Sequence, residues 1–344
     1  MMKRFLVVFS IAGAMGANAA SARDISYAFT DLGLADQFDG PRINSQGQVA
    51  FTGAAGAVIW SNGVTTPVPL GRSPNGAKGL NNSGDVSGYF DLNAPAARIG
   101  GTTVDLSGLV AVRRGAGLDI NDSGAVLVYG SVNDQTLVYQ NGSTTTLVGD
   151  RVVGSRLNNS GQVVGTAMLN GSIIFRAFRW TNGTFQTIVP AQAGPNASSS
   201  ADAITDAGDI AGSYDIFNNT QPYTYIGGQY TLLPRLAATD LNRPLAMNSS
   251  GVAVGFVRLS AGGYRATLWQ NGSVVDMNSL ISVPGWTLEQ ATGMNDAGQI
   301  VGTASFNGVT HAFLLNPIPA PAVPGMVGVF ASVGVFRRRR RSTR

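Results

Sequence analysis

Along the chain a short apolar lead-in, a four-residue polar turn ending in Gly, and an alternating strand follow one another seven times. The turns are Asn44 to Gly47, Asn81 to Gly84, Asn121 to Gly124, Asn158 to Gly161, Thr205 to Gly208, Asn248 to Gly251 and Asn295 to Gly298. Asn or Thr opens such a turn by bonding a backbone amide two residues on, and Gly accepts the positive φ that other residues resist. The stretches that follow, such as Gln162-Val163-Val164-Gly165 and Gln299-Ile300-Val301-Gly302, read polar then apolar as half-buried strands do. Their closing Gly is expected to let a neighbouring sheet approach closely. A second hairpin signal comes next: Trp60, Tyr139, Trp180 and Trp269 each stand two residues before Asn-Gly, with Gly100-Gly101 and Gly227-Gly228 as degenerate versions. Each unit therefore holds four strands, a to d.

Successive turn glycines are 37, 40, 37, 47, 43 and 47 residues apart. Four-stranded propeller blades repeat at about 40 to 45 residues, so the pattern predicts an all-β propeller of seven blades. The ends of the repeat region agree. Tyr27 to Gly33 resembles a d strand lying before the first turn, whereas the last unit has a, b and c up to Leu315 and then meets Pro317 with no d strand. An N-terminal strand completing the last blade would close the ring and remove two exposed sheet edges.

The termini read as address signals. Lys3 and Arg4 precede an apolar run and small-residue cleavage positions ending at Ala22, the pattern of a secretory signal peptide over residues 1 to 22. The propeller body is expected over 23 to 316. In 317 to 344 a Pro-rich spacer leads into apolar residues Gly325 to Phe336 and then Arg337, Arg338, Arg339, Arg340 and Arg341. Twelve apolar residues fall short of the roughly 20 needed to span a bilayer, which favours a tail that is recognised and processed. Pro319-Ala320-Pro321, the apolar run and the Arg cluster together resemble the PEP-CTERM sorting signal of Gram-negative bacteria, with Ala320 where that signal usually has Glu. The repeats resemble the HAF-type extracellular repeats, most fully at Asn295, Gly298, Ile300, Val301, Gly302 and His311-Ala312-Phe313. The two resemblances imply secretion, an exosortase-type membrane processing enzyme as partner, and transient inner-membrane retention before delivery outside the cell.

Removing the ends changes what the charge means. The whole chain has a formal charge of +4, but its 23 Lys and Arg include Lys3, Arg4 and six tail arginines. Residues 23 to 316 thus hold 15 basic against 19 acidic side chains, a net of −4, and no basic footprint for nucleic acid. With no Cys there is neither a disulfide nor a thiolate metal site, and no motif calls for a cofactor.

Candidate chemistry is sparse. His311, the single histidine, occupies a strand position filled elsewhere by Arg176, Pro222 or Arg265 and reads as structural. Asp119 to Gly124 resembles a calcium loop locally, but the bidentate acid expected at its twelfth position is Gly130. Asp122, Asp206 and Asp296 are accounted for by the turns. Asp91, Asp134 and Asp215, in the b-to-c connections, and Glu289, the single glutamate, are the catalytic candidates if the protein is a glycoside hydrolase or lyase using paired carboxylates. The recurring Trp60, Tyr139, Trp180, Tyr225 and Trp269 read as sheet-to-sheet packing or as a sugar-stacking ring.

Two functions follow: a non-enzymatic surface or matrix propeller contacting polysaccharide or surface proteins, and a propeller glycosidase or lyase. Carboxylates clustered in one concavity would favour the second, and scattered ones the first. Deleting residues 23 to 33 is expected to leave an aggregating or unfolded product; a soluble truncation that melts cooperatively would overturn the closure.

Overall fold

The computed structural model describes residues 26 to 318, apart from 92, 111 to 113, 133, 169, 170, 217, 218 and 238. Ala22, Pro319, Pro321 and Arg337 to Arg341 lie outside the described residues. β1 (Ser26–Leu34) precedes the first repeat. Blade 1 is β2 (Arg42–Ile43), β3 (Val49–Gly53), β4 (Gly56–Ser61) and β5 (Val64–Pro67), and blade 2 is β6 (Asn75–Leu80), β7 (Val86–Phe90), β8 (Ala94–Ile99) and β9 (Thr102–Asp105). Blade 3 is β10 (Gly115–Ile120), β11 (Val126–Gly130), β12 (Gln135–Gln140) and β13 (Ser143–Thr146), and blade 4 is β14 (Arg151–Leu157), β15 (Val163–Met168), β16 (Arg176–Thr181) and β17 (Thr184–Thr187). Blade 5 is β18 (Ser199–Ile204), β19 (Ile210–Ile216), β20 (Asn219–Ile226) and β21 (Gln229–Leu232), and blade 6 is β22 (Thr239–Met247), β23 (Ala253–Leu259), β24 (Tyr264–Gln270) and β25 (Ser273–Asp276). β26 (Trp286–Met294), β27 (Ile300–Phe306) and β28 (Val309–Ile318) form blade 7, and its fourth strand is β1.

The chain is therefore a seven-bladed β-propeller closed by its own N-terminal strand. β1 pairs antiparallel with β28 from Ser26 opposite Ile318 to Leu34 opposite His311, so the last strand runs through Pro317 rather than stopping before it. Because strands alternate in direction, the a-to-b turns and c-to-d hairpins lie at one end of the ring, the turn end. The b-to-c and d-to-a connections lie at the other, the loop end. Among the described residues no helix is long and apolar enough to cross a membrane.

Seven separate apolar cores hold the ring, one between each neighbouring pair of blades. Leu70 and Val86 meet between blades 1 and 2, Leu106 and Val128 between 2 and 3, Leu127 and Phe178 between 3 and 4. Ile188 and Tyr223 meet between blades 4 and 5, Ala211 and Trp269 between 5 and 6, Leu268 and Phe313 between 6 and 7. The closing core joins Leu32, Val301 and Leu314 of blade 7 to Val49 and Phe51 of blade 1. The recurrent aromatics belong to these interfaces: Trp180 and Trp269 are buried, and Trp60, Tyr139 and Tyr225 pack against cores at their edges.

The closing glycines of the b strands need a different reading from the expected approach of a neighbouring sheet. A Cβ on Gly88, Gly165, Gly212, Gly255 or Gly302 would sit 1.8 to 2.1 Å from the carbonyl oxygen of Gly76, Val153, Ser200, Arg243 or Gln290. Those carbonyls belong to the a strand of the same blade. In these five blades the turned carbonyl accompanies a β-bulge in the a strand, visible as register shifts around Lys78, Ser155, Asp202, Leu245 and Thr292; blade 3 has the same bulge at Leu118 yet carries Val128 opposite it.

The repeated turns also do more than reverse the chain. All seven closing glycines have positive φ, from 73° to 87°. Asn44 Oδ1 accepts from the amides of Gln46 and Gln48 at 3.1 and 2.9 Å, the expected turn chemistry. Its Nδ2, however, donates to the carbonyl of Asn81 in the next blade at 3.0 Å. Asn81, Asn121 and Asn158 repeat this bond to Asn121, Asn158 and Thr205, and Asn295 carries it across the seam to Asn44. The second turn position forms a parallel belt, in which the amides of Ser45, Asn82, Asp122, Asn159 and Ser249 donate to Oδ1 of Asn82, Asp122, Asn159, Asp206 and Asp296. Asp122, Asp206 and Asp296 thus act as acceptors between blades and not within their own turns.

Thr205 interrupts the first belt because its side chain has no amide to donate; its Oγ1 accepts from Asp209 N at 3.1 Å. Thr205→Asn is expected to restore the bond to the next blade and raise stability by about 1 kcal/mol, whereas Asn121→Ala should cost about 2 to 4 kcal/mol through the lost turn bonds and an orphaned carbonyl. Urea unfolding of the two variants checks both signs.

Candidate functional site

The seven a-to-b turns converge on an axial cavity of about 320 Å³ at the turn end. Its wall is a ring of seven aliphatic side chains, Ile43, Leu80, Ile120, Leu157, Ile204, Met247 and Met294, each just before a turn, and its rim is the turn residues. The rim carboxylates are occupied: Asp122 Oδ2 accepts from Nδ2 of Asn82 and Asn159, both at 2.8 Å, and Asp206 Oδ2 from Asn159 at 2.9 Å. Among the described residues no group of three or more His, Asp or Glu side chains is placed to hold a metal ion. Asp119, the first residue of the calcium-like loop, lines the cavity, but its carboxylate accepts from the amides of Ile120 and Leu157 at 3.1 and 2.9 Å. It therefore bonds the neighbouring blade as well as its own. Burial pushes its pKa up, against the pull of Arg156 and Arg42.

The four catalytic candidates do not meet. Asp91 and Asp134 sit at φ of 47° and 48°, left-handed turn positions that Asp tolerates, which explains their residue type without catalysis. Asp91 pairs with exposed Arg72 at 2.8 Å. Asp134 accepts from Tyr129 Oη at 2.7 Å and from Arg151 Nε at 2.6 Å. Desolvation would raise the Asp134 pKa, but the Tyr129 and Arg151 bonds and the Arg151 charge outweigh it and hold the group below the usual carboxylate range. Burial and the same hydrogen bond push Tyr129 up to about 12. Glu289 lies on β26, its pKa raised by burial and pulled back by Arg265. Asp215 faces a cavity with Arg243 and several hydroxyl side chains, and Asp134 borders a different, smaller hollow together with Gln135 and Asp150. His311 staples the ring closure, with Nδ1 2.9 Å from Asp31 Oδ1 on β1 and its ring edge-on to Trp286.

That second cavity, about 360 Å³, opens at the loop end between blades 4, 5 and 6. Its polar lining is Thr166, Ser198, Ser199, Ser200, Ser213, Asp215, Thr220 and Arg243, and its apolar lining includes Phe175 and Leu241. Arg243 anchors one guanidinium nitrogen on buried Asp202, which also accepts from Ser200 Oγ at 2.6 Å. The Asp202 charge, with help from Asp215, raises the Arg243 pKa against burial, so the group is a fixed cation. Ser200 Oγ lies 3.4 Å from Ser213 Oγ, and Asp215 N donates to Ser198 O at 2.9 Å; Asp215 thus stands on β19, opposite Thr220 of β20, and not in the b-to-c connection the sequence suggested, because the hairpin ladder extends past it. Thr166 Oγ1 is buried without a partner. Arg243 escaped sequence reasoning because it lies in the middle of a strand; the only signal was the run Ser198-Ser199-Ser200 in an otherwise unpatterned connection.

A scan of protein-family models and a search of curated proteins return no match. Solved structures do match. The chain is similar to the β-propeller domain of the Trilobed protease from Pyrococcus furiosus, with a TM-score of 0.55 and 10% identity, over 90% of this chain and 99% of that one. It is also similar to a catalytically inactive virginiamycin B lyase from Staphylococcus aureus (TM-score 0.52, 12% identity, 85% and 100% covered) and to YCF48 from Cyanidioschyzon merolae (0.53, 11%, 85% and 99%). At these identities the likeness establishes the propeller fold and nothing about activity.

Because Asp134 is held below the ordinary value of about 3.9, its contribution is complete above that pH and is lost as pH falls through the folded-state pKa. Asp134→Asn is expected to lower stability by about 1 kcal/mol at pH 7 and to converge with the wild type near pH 2, read as melting temperature against pH.

Proposed function

We propose that this protein is an exported surface or matrix propeller that binds acidic polysaccharide through the loop-end cavity around Arg243. The observation that carries the reading is the lining of that cavity: one fixed guanidinium among serine and threonine hydroxyls, beside an aromatic ring, with Asp215 as the one carboxylate among the described lining residues. A uronate unit needs those partners. Its carboxylate takes the free guanidinium donors, its hydroxyls exchange hydrogen bonds with Ser and Thr, and its C–H face packs on Phe175. The cavity lies where the blades differ most from one another, as a specificity site on a repeat scaffold does.

The reading extends to the cellular address. The signal-like segment ending at Ala22 would direct export, and the tail with Pro319, Pro321 and Arg337 to Arg341 would be retained at the inner membrane and processed by an exosortase-type enzyme. The HAF-type resemblance supports an extracellular setting. The four named candidates Asp91, Asp134, Asp215 and Glu289 are not brought together in one cavity, which supports binding over a glycosidase that pairs two of them.

A glycan array with the purified full chain is expected to retain polyuronates over neutral glucans, and Arg243→Gln to weaken that binding at least about tenfold, the worth of a charge-assisted hydrogen bond. Reducing-sugar release abolished by Asp215→Asn would overturn the binding role in favour of hydrolysis.

A further inference from the structure

The layer just beneath the aliphatic ring of the axial cavity is not sevenfold in chemistry. The seven a strands place Arg42, Gly79, Asp119, Arg156, Ala203, Ala246 and Gly293 at this position, two residues before each turn. The glycines and alanines pack closely against neighbouring strands, with Ala203 and Ala246 in or against the cores between blades, while the other three members are charged. Arg42 and Arg156 belong to blades 1 and 4, which are not neighbours, yet both lie close enough to Asp119 of blade 3, and Arg156 close enough to Arg42, for their charges to interact. Each directly precedes a cavity-lining residue, Ile43 or Leu157, and the equivalent Asp119 lines the cavity itself.

Two cations are set against one anion here, and the anion is engaged elsewhere. Both Asp119 oxygens accept backbone amides, and among the described residues neither guanidinium comes within 4.0 Å of a carboxylate oxygen. Arg42 Nη1 donates to the carbonyls of Thr292 and Pro41 at 2.8 and 3.3 Å, and its Nε is buried without a partner. Arg156 Nη1 donates to Ser155 O at 2.7 Å. Burial, then the Arg156 charge, pushes Arg42 down to about 9, a measure of how incompletely Asp119 and Asp39 compensate it. A guanidinium fork matches an oxyanion's geometry, and desolvated cations near one another gain most from an anion set between them.

We propose that the axial channel holds one small free oxyanion, of the phosphate or sulfate class, between Arg42 and Arg156. The occupant is a small free ion and not a group on a polyanionic chain, because the rim carries Asp122, Asp206 and Asp296, whose repulsion grows with every charge an occupant leaves outside the paired arginines. The site is separate from the Arg243 cavity and stands or falls independently of the polysaccharide reading.

The test is calorimetric titration of the full chain with inorganic phosphate and with sulfate at pH 7 and constant ionic strength, with melting temperature as a second readout. One ion per chain and a rise in melting temperature are expected. Arg156→Gln should weaken binding at least tenfold, whereas Arg72→Gln, at a side chain 80% exposed, should not change it. Asp119→Asn should tighten binding by removing the opposing charge, which separates an electrostatic site from a general loss of fold. If Arg156→Gln does not fold, Arg156→Lys takes its place, keeping the charge but losing the fork, and is expected to bind severalfold more weakly. Absence of saturable binding to the wild type would overturn the proposal, as would binding unchanged by both the Arg156 and the Asp119 substitutions.

Discussion

A four-stranded blade is apolar on both faces, and in this protein neither face is covered until another blade lies against it. That requirement governs the rest of the structure. Each of the seven apolar cores is shared by two blades, so a row of blades would leave the outer faces of the first and last in water. The pairing of β1 with β28 resolves this by making blade 7 from both ends of the chain, which brings Leu32 and Leu314 against Val49 and Phe51. The His311–Asp31 contact holds β1 to β28 within blade 7, and the Asn295–Asn44 bond ties blade 7 to blade 1 at the turn end.

The two ends of the ring divide the work. At the turn end the polar side chains are committed to the hydrogen-bonded belts that run from blade to blade, so the surface most regular in sequence has the fewest free functional groups. At the loop end the connections differ in length and composition, and there the ion pairs, the Arg243 cavity and the exposed side chains of Phe38, Val148 and Ile173 are found. A closed ring permits this division because stability comes from the blade faces and the turn belt, leaving the loop end to vary at small energetic cost.

Much of the architecture was legible because it rests on local chemistry repeated seven times. A turn with Gly at positive φ, an Asn-Gly hairpin and a strand of period two are each specified within a few residues, and the unmatched d-like segment at Tyr27 to Gly33 announced the closure. What the turn polar groups bond across the blades was not legible. Nothing local says that Asn44 Nδ2 reaches Asn81 or that Asp122 accepts from Asn82, since those partners are 37 and 40 residues apart. The closing glycines were visible as a pattern, but what they stand against, a bulged carbonyl in the same blade, depends on register.

The functional groups show the same boundary. The sequence by itself determined the propeller, the blade count, the closing strand and the small set of acids free of the repeat, because each of these is written in local periodicity or in its interruption. Only the tertiary structure decided that Asp91, Asp134 and Glu289 stand apart, that Asp215 joins Arg243 and a serine cluster, and that the charges of Arg42, Asp119 and Arg156 come within reach of one another. These are meetings between residues of different blades. Their distances are set by the closure of the ring, a property of the whole chain that no window of the sequence contains.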